Sequence, residues 1–330
     1  MDLLDDYLSG VRARGAVFCS TVSVPPWGMR FTEPAPLTLS AMLRGDAWLV
    51  PDAGEPVELP RGGIALVRAR TPYTVADRPD SRPHVLVDGD DRCTLVGDPA
   101  DPGDPADPME PMEPVEPGRN WRVTGRTVGD AADGGTDLLV TAGYRVGGDL
   151  CRPLLDALPP ITIVRPDTGL SALLDLIAAE VEHDEPGQQV VLDRFLDLLL
   201  VRALRTWFAH PGATPPPGYR ALADPDIGHV LRRLHEEPAR PWTVASLADE
   251  AGMSRTAFAR RFSALVGRPP LAYLTDWRMA LAADRLHAPG ATVTAVAKEV
   301  GYADGFAFSA AFKRVRGISP SGHRAAGPRP

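Results

Sequence analysis

Lysine is nearly missing from this chain of 330 residues: Lys298 and Lys313 are the only two among 35 cationic side chains. With 35 prolines and 31 glycines, that bias points to a GC-rich coding genome rather than to a physical constraint. Cysteine is scarce too. Cys19, Cys93 and Cys151 stand far apart and are odd in number, which argues against a disulfide framework and fits a reducing cytoplasm. None belongs to a C-x-x-C pair, so a zinc site has no support, and each is expected to be a buried, inert thiol. No run of 18 apolar residues occurs, so no helix is expected to span a membrane. The start, MDLLDDYLSG, lacks the basic region and apolar core of a signal peptide. Also absent are G-x-S-x-G, H-E-x-x-H, a P-loop and a strand-borne G-x-G-x-x-G. No catalytic residue, cofactor or metal is therefore assigned.

What is present is unevenly distributed. The net charge is −8, yet residues 221–330 hold 15 Lys and Arg against 10 Asp and Glu, a balance of +5. Residues 1–220 hold 20 against 33, a balance of −13. A basic C-terminal third on an acidic chain points to a polyanionic partner for that third.

Residues 1–97 carry short alternating runs, LTLSAMLRGDAWLV, EPVELPRGGIALVRA and PYTVAD, broken by Gly and Pro. Such spacing predicts a small barrel or sandwich. Residues 98–117 repeat an acid–proline pair every third position, which predicts an extended, solvated loop. Strand patterns resume at WRVTGRTV and TDLLVTAGYRV. Leu170, Leu173, Leu174, Ile177 and Val181 then form a helical stripe, and residues 188–209 are apolar on more than one face. A helix so apolar must be buried or paired with another chain. The expectation is a homodimer, broken by charge at Leu199 or Leu200 unless those two lie in the monomer core. HPGATPPPGYR reads as a linker.

The C-terminal third writes one pattern twice. Val244, Leu247, Ala248 and Ala251 make an apolar stripe ended by Gly252, with Ser254 placed to cap a second helix. Val293, Val296, Ala297 and Val300 repeat it, ended by Gly301, with Asp304 as cap. Phe258 and Phe308, Phe262 and Phe312, and Pro270 and Pro320 each lie 50 residues apart. Each copy predicts a helix-turn-helix. The segment between them, LAYLTDWRMALAADRLHA, predicts a helix of about 26 Å, suited to two recognition helices near one DNA turn, about 34 Å, apart.

These residues resemble the AraC/XylS family of bacterial transcription regulators. The carrying positions are Ala248 to Phe262, then Gly267, Pro270, Tyr273, Leu274, Arg278, Met279 and Ala282. In the second copy they are Gly301, Tyr302, Phe308, Phe312, Lys313, Gly317, Ser319 and Pro320. The resemblance implies a regulator, with activation favoured, that binds promoter DNA and possesses RNA polymerase and a small-molecule effector as further candidate partners. At 100° per residue, the face opposite Phe258 and Phe262 carries Thr256, Ala259, Arg260 and Ser263 as base-facing positions. Arg260 is the candidate guanine reader and Arg255 a phosphate contact, the alternative for both being a solvated arginine. The second helix presents Phe306, Ser309 and Ala310 to bases, with Lys313 and Arg314 on phosphate. Phe306 has two readings, against a thymine methyl or folded back into the core.

The N-terminal half resembles the cupin-type regulatory domain of some such regulators, through WGMRF (27–31), LRGDAWL (43–49), TPYTVAD (71–77) and PLLDALPPITIV (153–164). Relatives tend to place histidines at positions matching Ser40 and Tyr73, and the lack of both here implies no bound metal; some relatives also have a redox-sensing cysteine where Ala142 stands. The expected fold is α+β: a cupin-like β-barrel over 1–165, a helical dimerisation region over 166–210, a linker over 211–220 and an all-α domain with two helix-turn-helix units over 221–330. Two competitors remain: a cupin enzyme with a helical appendage, marked by a stoichiometric tightly bound metal, and a protein scaffold without DNA affinity.

Overall fold

The computed structural model describes residues 3–8, 11–12, 19–23, 25–68, 71–89, 93–96, 122–124, 127–129, 136–146, 148–181 and 185–327. The acid–proline tract 98–117 lies outside them. In chain order the elements are α1 (Leu3–Leu8), β1 (Val11–Arg12), β2 (Cys19–Ser23), β3 (Gly28–Phe31), β4 (Leu37–Arg44), β5 (Ala47–Pro51), β6 (Val57–Leu59), β7 (Ile64–Val67), β8 (Tyr73–Ala76), β9 (Val85–Val87), β10 (Cys93–Leu95), β11 (Arg122–Thr124), β12 (Thr127–Gly129), β13 (Asp137–Val146), α2 (Arg152–Asp156) and β14 (Ile161–Val164). Then come α3 (Thr168–Val181), α4 (Gln188–Ala209), a 3-10 turn (Arg220–Ala223), α5 (Pro225–Glu236), α6 (Val244–Glu250), α7 (Arg255–Val266), α8 (Pro270–Leu286), α9 (Val293–Glu299), α10 (Gly305–Arg316) and α11 (Pro320–Ala325). The chain forms two compact units. One is Arg12–Arg145 with Leu158–Ala213; the other is Met1–Val11, Val146–Ala157 and Thr214–Pro330.

The first unit holds two sheets. One runs β11-β12-β2-β13-β4-β7-β14 and the other β10-β9-β3-β8-β5-β6, so strand pairing gives two open paths. Their inner faces share one core, in which Trp27, Met29, Leu49 and Val75 meet Met42, Val67 and Leu139. Alternation along β4 suggests one wet face, but Thr38 and Ser40 are buried as well, at 2% and 0% exposure. Helix α3 lies along that outer face, and Ser40 Oγ sits 3.2 Å from Thr141 Oγ1 on the neighbouring strand. Tyr73, the other position matched to a histidine, is stacked on Phe31 at 4.8 Å.

Helix α4 settles where its surplus apolar surface goes. Leu192, Leu196, Leu199, Leu200 and Leu204 are buried within the unit, and the Tyr144 hydroxyl donates to the Leu196 carbonyl at 2.8 Å. Leu199 and Leu200 thus belong to the monomer core, the second of the two outcomes the sequence left open. The apolar surface that stays outside is Val190, Val191 and Leu198 on α4 and Leu176 on α3.

The second unit is built around α8. Tyr273 and Leu274, early in α8, pack with α5, α6 and α7; Met279, Ala282, Ala283 and Leu286, later in it, pack with α9 and α10. One 17-residue helix, about 26 Å long, therefore lies in two cores at once. Helix α1 joins this unit through a buried contact that no local pattern announces. His235 Nδ1 lies 2.9 Å from Asp6 Oδ2, and His235 Nε2 lies 2.8 Å from the Tyr273 hydroxyl. The same unit holds Cys151, whose Sγ donates to the Gly148 carbonyl; burial, aided by Asp284, pushes its thiol up to about 12, so it stays protonated and inert.

Candidate nucleic-acid interface

Local chemistry sets both ends of each helix pair. Thr243 Oγ1 accepts from the Ser246 N–H while Ser246 Oγ accepts from the Thr243 N–H, a reciprocal cap on α6. Thr292 caps α9, Ser254 caps α7, and Asp304 Oδ1 accepts from both Phe306 and Ala307 N–H at 2.8 Å to cap α10. The turns need a left-handed residue, supplied by Gly252 (φ +63°) and Gly301 (φ +83°).

With the caps fixed, the i, i+4 phenylalanines decide which face turns inward. Phe258, Phe262, Phe308 and Phe312 are all fully buried. On α7 this leaves Arg255, Thr256 and Arg260 exposed and Ala259 and Ser263 half-buried, all on the outer side. On α10 Ala310, Lys313 and Arg314 are exposed and Ser309 is half-buried. Phe306 is 90% exposed, which removes the reading that folded it into the core. The ten sequence-chosen positions therefore divide into two outward faces, one per repeat.

Sequence patterns missed the residues that hold these faces in place. Arg261 points back from α7 and bridges Asp224 at 2.7 Å and Asp226 at 3.1 Å at the start of α5. Burial alone would raise the Asp224 carboxyl; the Ile227 N–H and Arg261 outweigh it and hold the group below the ordinary aspartate range. Arg278, one of the family-matched positions, is not outward either. Its Nε donates to the Pro238 carbonyl at 2.7 Å and its Nη2 to the Arg240 carbonyl at 2.9 Å, tying α8 to the loop before α6. Arg316 spans from α10 to Asp149 at 3.1 Å. An arginine in a helical stretch looks the same in sequence whether it faces solvent or clamps a loop.

Comparison with known proteins adds the family. Residues 2–209 match a family described as Cupin, and residues 247–326 match a Helix-turn-helix domain. A putative AraC-like transcription regulator of Streptomyces lividans is 32% identical over 98% of both chains. The chain belongs to the AraC-like transcription regulators. A second relative of that description, from Streptomyces antibioticus, is 30% identical over 98% of both chains. The HTH-type transcriptional regulator AlkR of Acinetobacter baylyi is 34% identical over 57% of this chain and 63% of its own. In this AraC-like regulator the described residues contain no cluster of three His, Cys, Asp or Glu placed to hold a metal ion and no helix long and apolar enough to cross a membrane.

Proposed function

We propose that this protein is a sequence-specific DNA-binding regulator whose two recognition helices, α7 and α10, enter successive major grooves of promoter DNA. The observation that carries the reading is the shared helix α8. A single rigid strut lies in both helix-turn-helix cores and fixes the two outward faces relative to each other. On α7, Arg260 reaches guanine from a face shared with Thr256, Ala259 and Ser263, while Arg255 meets phosphate. On α10, Phe306, Ser309 and Ala310 face the bases, and Lys313 and Arg314 meet phosphate.

The finer assignments are part of the same proposal. Residues 221–330 form the DNA-binding domain, preceded by a linker over 211–220. Residues 1–165 form a cupin-like, barrel-type regulatory domain, and 166–210 supply the contact for a homodimer. Val191 and Leu198, exposed on α4, support that contact, so Leu198→Glu is the variant expected to yield monomers in sedimentation. The protein acts in the cytoplasm, without catalytic activity, as an activator that engages RNA polymerase and answers to a small-molecule effector.

Selection of binding fragments from random duplex DNA by the full-length protein tests the central claim. The expected result is an enriched site with two half-sites about 10–11 base pairs apart. Affinity should fall with salt by about 0.9 log units per log unit for each phosphate neutralised. Absence of any enriched sequence at low salt overturns it.

A further inference from the structure

Features that both repeats share serve the helix-turn-helix itself; a feature that occurs once bears on how the two are held relative to each other. Such a feature surrounds Arg278. Along α8 the packing changes over between Leu274, which belongs to the first core, and Met279, which belongs to the second. Arg278 stands at that changeover. Its Nε donates to the Pro238 carbonyl at 2.7 Å and its Nη2 to the Arg240 carbonyl at 2.9 Å, both in the loop 237–243 between α5 and α6. The loop is stiffened from within. Trp242 Nε1 donates to the Glu237 carbonyl at 2.9 Å, and the Arg240 guanidinium lies 4.0 Å over the Trp242 ring and pairs with Glu250 at 3.2 Å. The same loop backs the turn of the second repeat. A Cβ on Gly301 would meet the Ala239 carbonyl oxygen at 2.7 Å and Arg278 Nη2 at 2.8 Å, and the guanidinium lies 6.0 Å from the centroid of the Tyr302 ring. The first repeat has no counterpart, since a Cβ on Gly252 would meet nothing within 4 Å.

The chemistry of this contact favours orientation over strength. Arg233, Arg240 and Arg261 of the same unit pair with carboxylates, whereas the half-buried Arg278 pairs with carbonyls and, among the described residues, with no carboxylate. Burial without a counter-ion disfavours the charge. Two carbonyls instead hold a planar fork at two N–H groups, which fixes its plane and angle as no point charge does. Orientation is what a single strut lacks. Helices bend, so α8 alone leaves the angle between the two outward faces compliant, and a second contact away from its axis removes that freedom.

We propose that Arg278 is a positioning residue that fixes the spacing at which the two recognition helices accept DNA half-sites. It joins α8, the loop of the first repeat and the turn of the second into one brace, so that α7 and α10 keep one separation and one rotation about the duplex. Specificity then includes the number of base pairs between half-sites, which no base contact encodes. The spacing role rests on the DNA-binding reading; the brace does not.

The test titrates full-length protein with the selected duplex and with duplexes that gain or lose one base pair between half-sites, at one salt concentration. One inserted base pair moves a half-site by about 3.4 Å and turns it by about 35°. Wild type is expected to lose about tenfold or more at either altered spacing, and Arg278→Ala about threefold or less, with the base preferences inside each half-site unchanged. Arg278→Lys keeps the stem and the charge but not the fork. It should show an intermediate loss, and it keeps the test decisive if truncation unfolds the protein. A variant that retains the full discrimination, or a wild type indifferent to spacing, overturns the spacing role. So does an equal loss on all duplexes with a lower melting temperature, which marks an ordinary packing residue. A DNA-free arm separates the brace from the DNA reading. Thr256→Cys and Ala310→Cys, exposed on the two outward faces, carry spin labels in a background of Cys19→Ser and Cys93→Ser, diluted into unlabelled protein; Cys151 is buried and inert. Arg278→Ala should broaden the distribution of distances between the labels. A broadened distribution in a protein that selects no DNA overturns the DNA reading while the brace stands. An unchanged distribution overturns the brace, whatever the duplexes show.

Discussion

Phe258 and Phe262 of α7 and Phe308 and Phe312 of α10 stand at the same separation, 5.6 Å between ring centroids, and at the same tilt, 53°. Fifty residues apart, the two pairs reproduce one packing solution. The positions around them diverge. Thr256 corresponds to Phe306, Arg260 to Ala310, Ser263 to Lys313 and Ala264 to Arg314. The first repeat carries its outward cations early, at Arg255 and Arg260; the second carries them in its last turn, at Lys313 and Arg314. Cations late in a helix are favoured by its dipole, by about 0.3–1 kcal/mol each, whereas a cation in the first turn is opposed by it. Lys313 and Arg314 therefore have a stability rationale that Arg255 lacks, and the proposed phosphate contact accounts for Arg255 instead. Core geometry is duplicated between the repeats, while surface chemistry is free to assign each a different task.

The turn glycines offer the strongest way to break the equivalence. A Cβ on Gly252 would meet nothing within 4 Å, whereas one on Gly301 would lie 2.7 Å from the Ala239 carbonyl oxygen and 2.8 Å from Ala239 Cα. Both have positive φ. Gly252→Ala should therefore cost only the left-handed strain, about 1–2 kcal/mol. Gly301→Ala should cost about 3 kcal/mol or more, because overpacking adds to the strain. Urea denaturation of the two variants measures the difference; equal losses would mean that the loop at Ala239 yields.

That asymmetry also shows what sequence could and could not reveal. The helix-turn-helix repeats were legible because their determinants are local: caps at Ser254 and Asp304, glycines at the turns, phenylalanines four apart. The backing of Gly301 comes from Ala239, 62 residues away, and leaves no local trace. The same holds for Asp6 against His235, 229 residues apart. Strands were legible as alternating runs, but two-sided burial of β4 was not, since Ser40 and Thr38 look solvent-facing until a helix covers them. Helix α4 announced that it needed a partner surface, and its own sheet and α3 supply most of it. Among the site residues, outward orientation followed from the phenylalanine period. The inward roles of Arg261 and Arg278 did not, because their partners lie in other elements.

A smaller effect separates the tasks assigned to the two outer faces. Arg260→Ala should lose about 1–3 kcal/mol at the selected site and relax preference at one base pair, with non-specific affinity little changed. Lys313→Ala should weaken selected and random DNA alike and reduce the salt slope by about one unit. Competition binding at several salt concentrations reads both. If the two variants behave alike, the division between a reading helix and a positioning helix is wrong.

The anchoring of α7 predicts a pH dependence absent from α10, where Ala311 occupies the position of Arg261. Asp224 has a folded pKa below its ordinary value. Its contribution is therefore complete above the unfolded value of about 3.9 and is lost as pH falls through the lower folded value. Asp224→Asn keeps a capping oxygen but loses the charge paired with Arg261. Its deficit should be about 0.5 kcal/mol near neutral pH and should vanish in acid below both values. A deficit that persists unchanged in acid below both values would assign the loss to packing.

Phe306 gives the finest discrimination, because its two possible costs differ in kind. At 90% exposure it has little packing to lose, so Phe306→Ala should leave stability within about 0.5 kcal/mol, the usual range for a surface change. The helix start does not depend on the side chain either, since Asp304 caps α10 through backbone N–H groups. What remains is contact with DNA. A ring against a thymine methyl should contribute about 1 kcal/mol, the value of roughly one buried methylene, at a single base pair. Phe306→Leu keeps apolar bulk and should retain much of that preference; Phe306→Ala should lose it. A base-by-base binding profile and a melting curve on the same samples separate the outcomes. An unchanged melting temperature with a flattened thymine preference supports the contact. An unchanged profile at every position would mean that Phe306 meets no base, and that α10 holds DNA through Lys313 and Arg314 alone.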